Sequence, residues 1–288
     1  MKQFGDSSYE STDCFTHAPL DHQEPSIRLI RILSNLSKHS RIQCEIRHAS
    51  IYDAYYCLSY VWGPKENLRS IEINNKAYAI RSNLFSFLDN ARRKPHFLQR
   101  WLWIDALCIN QEDDRERVHQ VQQMGDIYSN AVGVVSWLGP CERIAAFLQD
   151  PSDKKIHSTT EFYASEYWNR AWITQELALA RCVTFMALDA EVDRRVVPFE
   201  YHRELRRPSS RRNTIISENS REVKGRSLFF LLDLTKMKYC EVTRDSVFSL
   251  LSLSGDGVLV AVDYSSQHIL LASHILRSCS ETFCLCSL

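Results

Sequence analysis

The sequence predicts an α/β fold, a mainly parallel sheet flanked by helices, with an inserted β-hairpin and a helical C-terminal extension. Three observations lead there. The runs YYCLSYVWG (55–63), WLWIDALCIN (101–110) and AVGVVSWLG (131–139) are short and apolar throughout, as strands buried on both faces are. Stretches with helical periodicity separate them. Strands alternating with helices favour parallel pairing through crossovers.

The elements follow in order. Residues 1–25 are polar and read as a flexible tail. IRLIRIL (27–33) and IQCEIRH (42–48) read as strands. The 55–63 run is a buried strand ending in the Gly63-Pro64 turn, and IEINNKAYAI (71–80) is a hairpin around Asn74-Asn75. Leu84, Phe85, Leu88 and Ala91 share a helical face. The 101–110 run is expected to be a central strand throughout. Asp113 and Glu116 then form a capping-box pattern that opens a helix with Val118, Val121, Met124 and Tyr128 on its apolar face. Residues 150–160 read as a surface loop, 182–188 as a strand and 203–225, rich in Arg, Ser and Asn, as mobile. SLFFLLDLTKM (227–237), SVFSLLSLS (246–254) and HILLASHILRSC (268–279) read as helices, and VLVAVDY (258–264) as extended.

One predicted helix raises a chemical question. In YWNRAWITQELALAR (167–181), Trp168, Trp172, Glu176 and Leu179 fall on one stripe, and Ile173, Leu177 and Ala180 lie opposite. Apolar on both sides, the helix must be largely buried. A carboxylate in a tryptophan stripe needs a partner or a task.

Composition excludes several classes. Over 288 residues, Lys plus Arg and Asp plus Glu both total 35, a balance that gives no reason to expect a nucleic-acid partner. No apolar run reaches membrane-spanning length, and the N-terminus lacks the apolar core of a signal peptide, so the expected location is cytoplasmic. The 10 cysteines include no C-x-x-C pair, and no metal site is expected. Cys57, Cys108 and Cys182 read as buried apolar residues, and the tight pair Cys284/Cys286 stands at the end of the chain. Dinucleotide, P-loop, zinc-protease and nucleophile-elbow motifs are all missing, and Gly255/Gly257 read as a turn. The arginines of 203–212 read as a solvated loop.

Three segments remain as candidates for function. Ser59, Tyr60, Trp62 and Gly63 end a strand where α/β folds bind ligands, offering a hydroxyl, stacking faces and a close backbone approach. The plainer reading is a core strand and its turn. Asp105, followed by Asn110 and Gln111, sits in an apolar run and serves either a site or a buried structural hydrogen bond. Glu176 is either functional or paired with Arg170 or Arg181 to buttress the fold.

Taken together, these segments resemble the fungal heterokaryon-incompatibility (HET) domain. YYCLSYVWGP is similar to its ALSYVWG signature, LWIDALCINQEDDRERVHQVQQMGDIYSNAVGVVSWLG to its longest signature, and YWNRAWITQELALA to its W-x-R-x-W-x-x-Q-E segment. RDSVFSLLSLS and VDYS resemble its later signatures. The resemblance implies a domain over 26–278 with a tail at 279–288, acting in non-self recognition and regulated cell death. The HET fold is in turn similar to Toll/interleukin-receptor (TIR) domains, which implies a TIR-like, flavodoxin-like sheet. By that analogy Glu176 takes the place of a glutamate that cleaves the nicotinamide–ribose bond of NAD. Ser59, Tyr60, Trp62, Gly63 and Trp172 would then shape the substrate pocket, supported by Asp105, Asn110, Gln111 and Arg170. NAD would be a substrate, and no cofactor is expected. The alternative is a non-enzymatic module that acts by self-association under an upstream recognition partner. Both readings imply association.

Overall fold

The computed structural model describes residues 14–152, 156–197, 223–257 and 260–279. Nine strands form one sheet in the order β5-β4-β2-β1-β6-β3-β7-β8-β9. They are β1 (Ser26–Leu36), β2 (Ile42–Ser50), β3 (Tyr56–Tyr60), β4 (Arg69–Ile73), β5 (Lys76–Ile80), β6 (Leu102–Trp103), β7 (Gly133–Trp137), β8 (Val183–Ala187) and β9 (Ala190–Asp193). The expected α/β class stands, but the sheet is mixed rather than mainly parallel. Strands β6, β3, β7 and β8 run parallel at its centre. Antiparallel pairs flank them: β1 with β2 and β6, β4 with β5, and β8 with β9. The first two strands are joined by a short turn, which permits only antiparallel pairing.

Helices pack against this sheet: α1 (Ser82–Ala91), α2 (Pro95–Leu98), α3 (Asp105–Cys108), α4 (Asp114–Asn130), α5 (Glu142–Gln149), α6 (Ile156–Ala164) and α7 (Ile173–Leu179). The hairpin turns where expected, because Asn74 and Asn75 both adopt positive φ, at 49° and 64°. It forms the edge of the sheet, β4 pairing parallel to β2. The segment read as a tail lies on this edge from Cys14 onward, with Phe15 N donating to Ala77 O at 2.9 Å.

Several expectations are corrected. The run 101–110 is a two-residue strand followed by helix α3, because Asp105 turns its carboxylate back onto the Ala106 N–H at 2.7 Å. Residues 150–160 are not all loop, since α6 begins at Ile156. The segment 246–254 is helical only to Phe248. Cys182 is exposed. Asp113 does cap α4, accepting from Arg115 N and Glu116 N. Glu116 does not complete the box. It is 2% exposed and holds Arg28 through two hydrogen bonds of 2.6 and 2.8 Å. The bulk of 203–225, including the Arg cluster, and Cys284 and Cys286 lie outside the described residues.

Two cores result. The larger follows the sheet, with Trp103, Trp137, Phe87 and Tyr128 inside it. The smaller is built by α8 (Leu228–Thr235), α9 (Asp245–Phe248) and α10 (His268–Ser278), around Leu228, Leu231, Phe248, Leu250 and Leu253. Val118 and Val121 of α4 and Trp172 and Leu179 beside or on α7 pack against this second core.

Candidate functional site

The site lies at the carboxyl ends of the parallel strands. Strand β3 is buried from Cys57 to Tyr60, so its last residues aim side chains into the protein rather than into solvent. The turn that follows needs Gly63, whose φ is +77°. Asn83, on the first turn of α1, fixes this corner. It donates to Val61 O at 2.5 Å and accepts from Trp137 Nε1 at 2.9 Å, tying the ends of β3 and β7 together.

The predicted helix 167–181 is interrupted. A 3₁₀ turn, Glu166–Asn169, precedes an extended Arg170, and α7 starts only at Ile173. The break has a cause elsewhere in the chain. Tyr239 bridges to Arg170 as a parallel strand would, with Ala171 N donating to Tyr239 O at 2.8 Å and Tyr239 N to Asn169 O at 2.5 Å. Lys238 Nζ donates to Trp168 O at 2.7 Å, and burial pushes its ammonium down to about 8. The tryptophan stripe is thereby taken apart. Trp168 turns its indole N–H to Phe162 O, while Trp172 donates to Asp245 Oδ2 at 3.1 Å and packs on the second core.

The break brings Tyr167, Arg170 and Glu176 onto Ser59. The Ser59 hydroxyl donates to Glu176 Oε2 and lies 2.8 Å from the Tyr167 hydroxyl. Arg170 Nη2 stands 3.7 Å from Glu176 Oε1. Arg181, the other partner considered, turns outward to Ser129 O. Glu176 is 1% exposed. Burial raises its carboxyl above the usual range, with Arg170 and Ser59 pulling the other way. Asp105 is raised by burial too, opposed by Arg170, Trp62 and the Ala106 N–H. Its Oδ2 accepts from Trp62 Nε1 at 2.8 Å. One guanidinium thus lies in the field of both acids, the buried Glu176 and the half-buried Asp105, and they hold it firmly protonated against burial.

Beside this cluster lies a cavity of about 170 Å³ lined by Tyr60, Trp62, Tyr78, Arg81, Ala106 and Gln111, among others. Gln111 also donates to Asp105 O at 3.1 Å. Glu176 and Trp172 do not line it. Asn110 belongs elsewhere, its N–H donating to Glu116 Oε1 at 2.6 Å. So the structure gathers Ser59, Tyr60, Trp62, Asp105, Gln111, Arg170 and Glu176 into one connected region and leaves out Asn110 and Trp172. Sequence reasoning missed Tyr167, Asn83 and Arg81. Tyr167 sat in view, but an unbroken helix gives it no reason to face Ser59.

Residues 55–154 match a family model described as heterokaryon incompatibility protein (HET). This stretch of the chain is similar to the HET domain. Heterokaryon incompatibility protein 6, OR allele, of Neurospora crassa is 35% identical over 130 residues, covering 40% of this chain and 19% of that protein. The chain thus matches about a fifth of that relative's length. No solved structure matches it significantly. Within the matched HET segment lie Ser59, Tyr60, Trp62, Asp105 and Gln111, whereas Arg170 and Glu176 come from the chain beyond it. Among the described residues no helix is long and apolar enough to cross a membrane, and no cluster of His, Cys, Asp and Glu fits a metal ion.

Proposed function

We propose that this chain acts in fungal heterokaryon incompatibility, and that its chemistry is cleavage of the nicotinamide–ribose bond of NAD by the Glu176 cluster. The supporting observation is the convergence of Ser59, Arg170, Asp105 and Glu176 at the carboxyl ends of the central parallel strands. That edge is where α/β sheets bind ligands. Buried acids with raised carboxyls are what such sites accumulate.

The reaction needs little machinery. The C–N bond breaks, its electron pair leaves with nicotinamide, and positive charge builds on the ribose as in glycoside hydrolysis. Glu176, once ionised and facing the sugar, stabilises that charge. Water then adds to the ribose carbon, giving ADP-ribose and releasing one proton. Arg170 and Ser59 hold the carboxylate in place. Removing a preorganised electrostatic group of this kind costs on the order of 10²–10³ in rate.

At 1% exposure Glu176 requires the cluster to open before substrate reaches it. Self-association driven by an upstream partner supplies such a trigger, with regulated cell death as the outcome. The same burial favours a second reading, in which Glu176 is structural and the domain signals by association alone. Nicotinamide release from NAD separates the two. Under the catalytic reading, forced dimerisation raises release by the wild type, and Glu176→Gln abolishes it while melting cooperatively. No release from folded wild type in either state would leave the association reading.

A further inference from the structure

The rim of the Trp62 cavity carries a charge arrangement that bond cleavage at Glu176 leaves unused. Arg81 lines the cavity, and its guanidinium stands 4.9 Å from the Trp62 ring centre. Arg81 Nη1 donates to Gly63 O at 2.7 Å, which anchors the cation to the glycine turn. Its Nη2 lies 3.7 Å from Glu241 Oε2, and Lys65 Nζ lies 2.6 Å from Glu241 Oε1. Two cations, one of them lining the cavity, therefore meet on one carboxylate. That carboxylate is delivered by the segment between α8 and α9, the same segment whose Tyr239 holds the chain at Arg170.

The rest of the cavity is built for a flat ring. Tyr60, Trp62 and Tyr78 are aromatic residues of its lining, with the small Ala79 and Ala106 and the polar Gln111 beside them. An aromatic-walled cavity with an anion-holding pair at its mouth matches one kind of ligand, a planar base linked to a phosphate. We propose that the cavity binds a nucleoside monophosphate moiety, its base between Trp62 and Tyr78, its phosphate on Lys65 and Arg81 where Glu241 now sits. Displacing Glu241 is cheap. Its side chain is 47% exposed and that of Lys65 71%, and exposed ion pairs contribute little. A phosphate brings more charge than a carboxylate and accepts paired hydrogen bonds from an arginine fork. The exchange removes one of the contacts that hold the segment bridging to Arg170, which couples occupancy of the cavity to opening of the Glu176 cluster. This deepens the reading of the face as a nucleotide site and does not require that the bond be cleaved.

The test is calorimetric titration of AMP, adenosine and inorganic phosphate into the Glu176→Gln protein, in which turnover is removed. AMP is expected to bind more tightly than either part alone. Glu241→Gln, which frees the two cations, should tighten AMP by about two- to fivefold, the scale of an exposed ion pair. Arg81→Gln should weaken AMP about tenfold, as loss of a charge-assisted contact does, and change adenosine binding by less. Lys65→Gln serves as a second variant, because that side chain stands in solvent and its loss leaves the core intact. Equal AMP affinity in wild type, Lys65→Gln and Glu241→Gln overturns the site, as does absence of AMP binding at millimolar concentration. The two proposals fail separately. Nicotinamide release without AMP binding removes this site and keeps the cleavage reading, whereas AMP binding without release does the reverse.

Discussion

Glu116 and Glu176 are both withdrawn from water, at 2% and 1% exposure, yet their surroundings push them in opposite directions. At Glu116 burial raises the carboxyl, but the two Arg28 hydrogen bonds and the Asn110 N–H outweigh it, and the group ends below its ordinary 4.5. A depressed carboxyl contributes stability that is complete above the unfolded value and lost as pH falls through the folded one. At Glu176 burial wins, so protonation favours the fold, and its contribution is present below 4.5 and lost as pH rises. Glu116→Gln leaves a buried guanidinium uncompensated and should cost about 3–5 kcal/mol at neutral pH, the difference from wild type shrinking in acid. Glu176→Gln imitates the protonated acid, so relative to wild type it should be more stable at about pH 7 than near pH 4.5. Urea unfolding across that range reads both. A constant offset for Glu176→Gln at every pH would mean that the acid does not titrate with folding. A gain at neutral pH is what a site built for chemistry, at the expense of the core, should show.

At the scale of elements, the hairpin shows how far local sequence reaches. Asn74 adopts φ 49° and clasps strand β2 through both ends of its amide, accepting from Ile46 N at 3.0 Å and donating to Ile46 O at 3.1 Å. Asn74→Ala loses both bonds and places a Cβ in the left-handed region, for an expected cost of about 2 kcal/mol. Chemical denaturation measures it, and a cost near zero would show that the β4–β5 edge frays without penalty. This element was legible because turn chemistry is local. The apolar strands β3 and β7 and the helix α4 were legible for the same reason, composition and period sufficing. What escaped was decided at a distance. Nothing near Arg170 announces a helix break; the backbone of Tyr239 imposes it. Glu116 satisfies a capping pattern, but Arg28, 88 residues away, takes its carboxylate. The other antiparallel pairs, β1 with β2 and β6 and β8 with β9, were missed because strand direction depends on partners and connections rather than on apolar runs. Glu176 was singled out by the oddness of an acid in an apolar stripe, and that oddness persisted although the stripe did not.

For the whole molecule, the decisive feature is that the cluster is closed by a second apolar cluster, which shares Val121, Trp172 and Leu179 with the first. The C-terminal helices bury their own apolar residues around Leu228, Leu231 and Leu250. Their attachment near the site combines apolar packing on Val118, Val121, Trp172 and Leu179 with a few polar contacts. Asp245 accepts from Trp172 Nε1 at 3.1 Å and from the Tyr264 hydroxyl at 2.7 Å, and the Tyr239 backbone adds its bridge. Burial raises the Asp245 carboxyl, against the pull of those two donors, so the joint includes an acid that the fold does not hold strongly ionised. Units joined in this way open at lower free energy than the strands beneath them. Amide exchange should therefore be faster across 223–257 and 260–279 than in β3 and β7. Trp172→Phe keeps the ring packed and removes the donor to Asp245. It should speed exchange in the C-terminal unit while leaving β3 and β7 protected. If both units instead exchange together, with one cooperative opening that the variant shifts as a block, Glu176 is reached only by global unfolding. In that case no catalytic role survives, whatever nucleotide the Trp62 cavity binds.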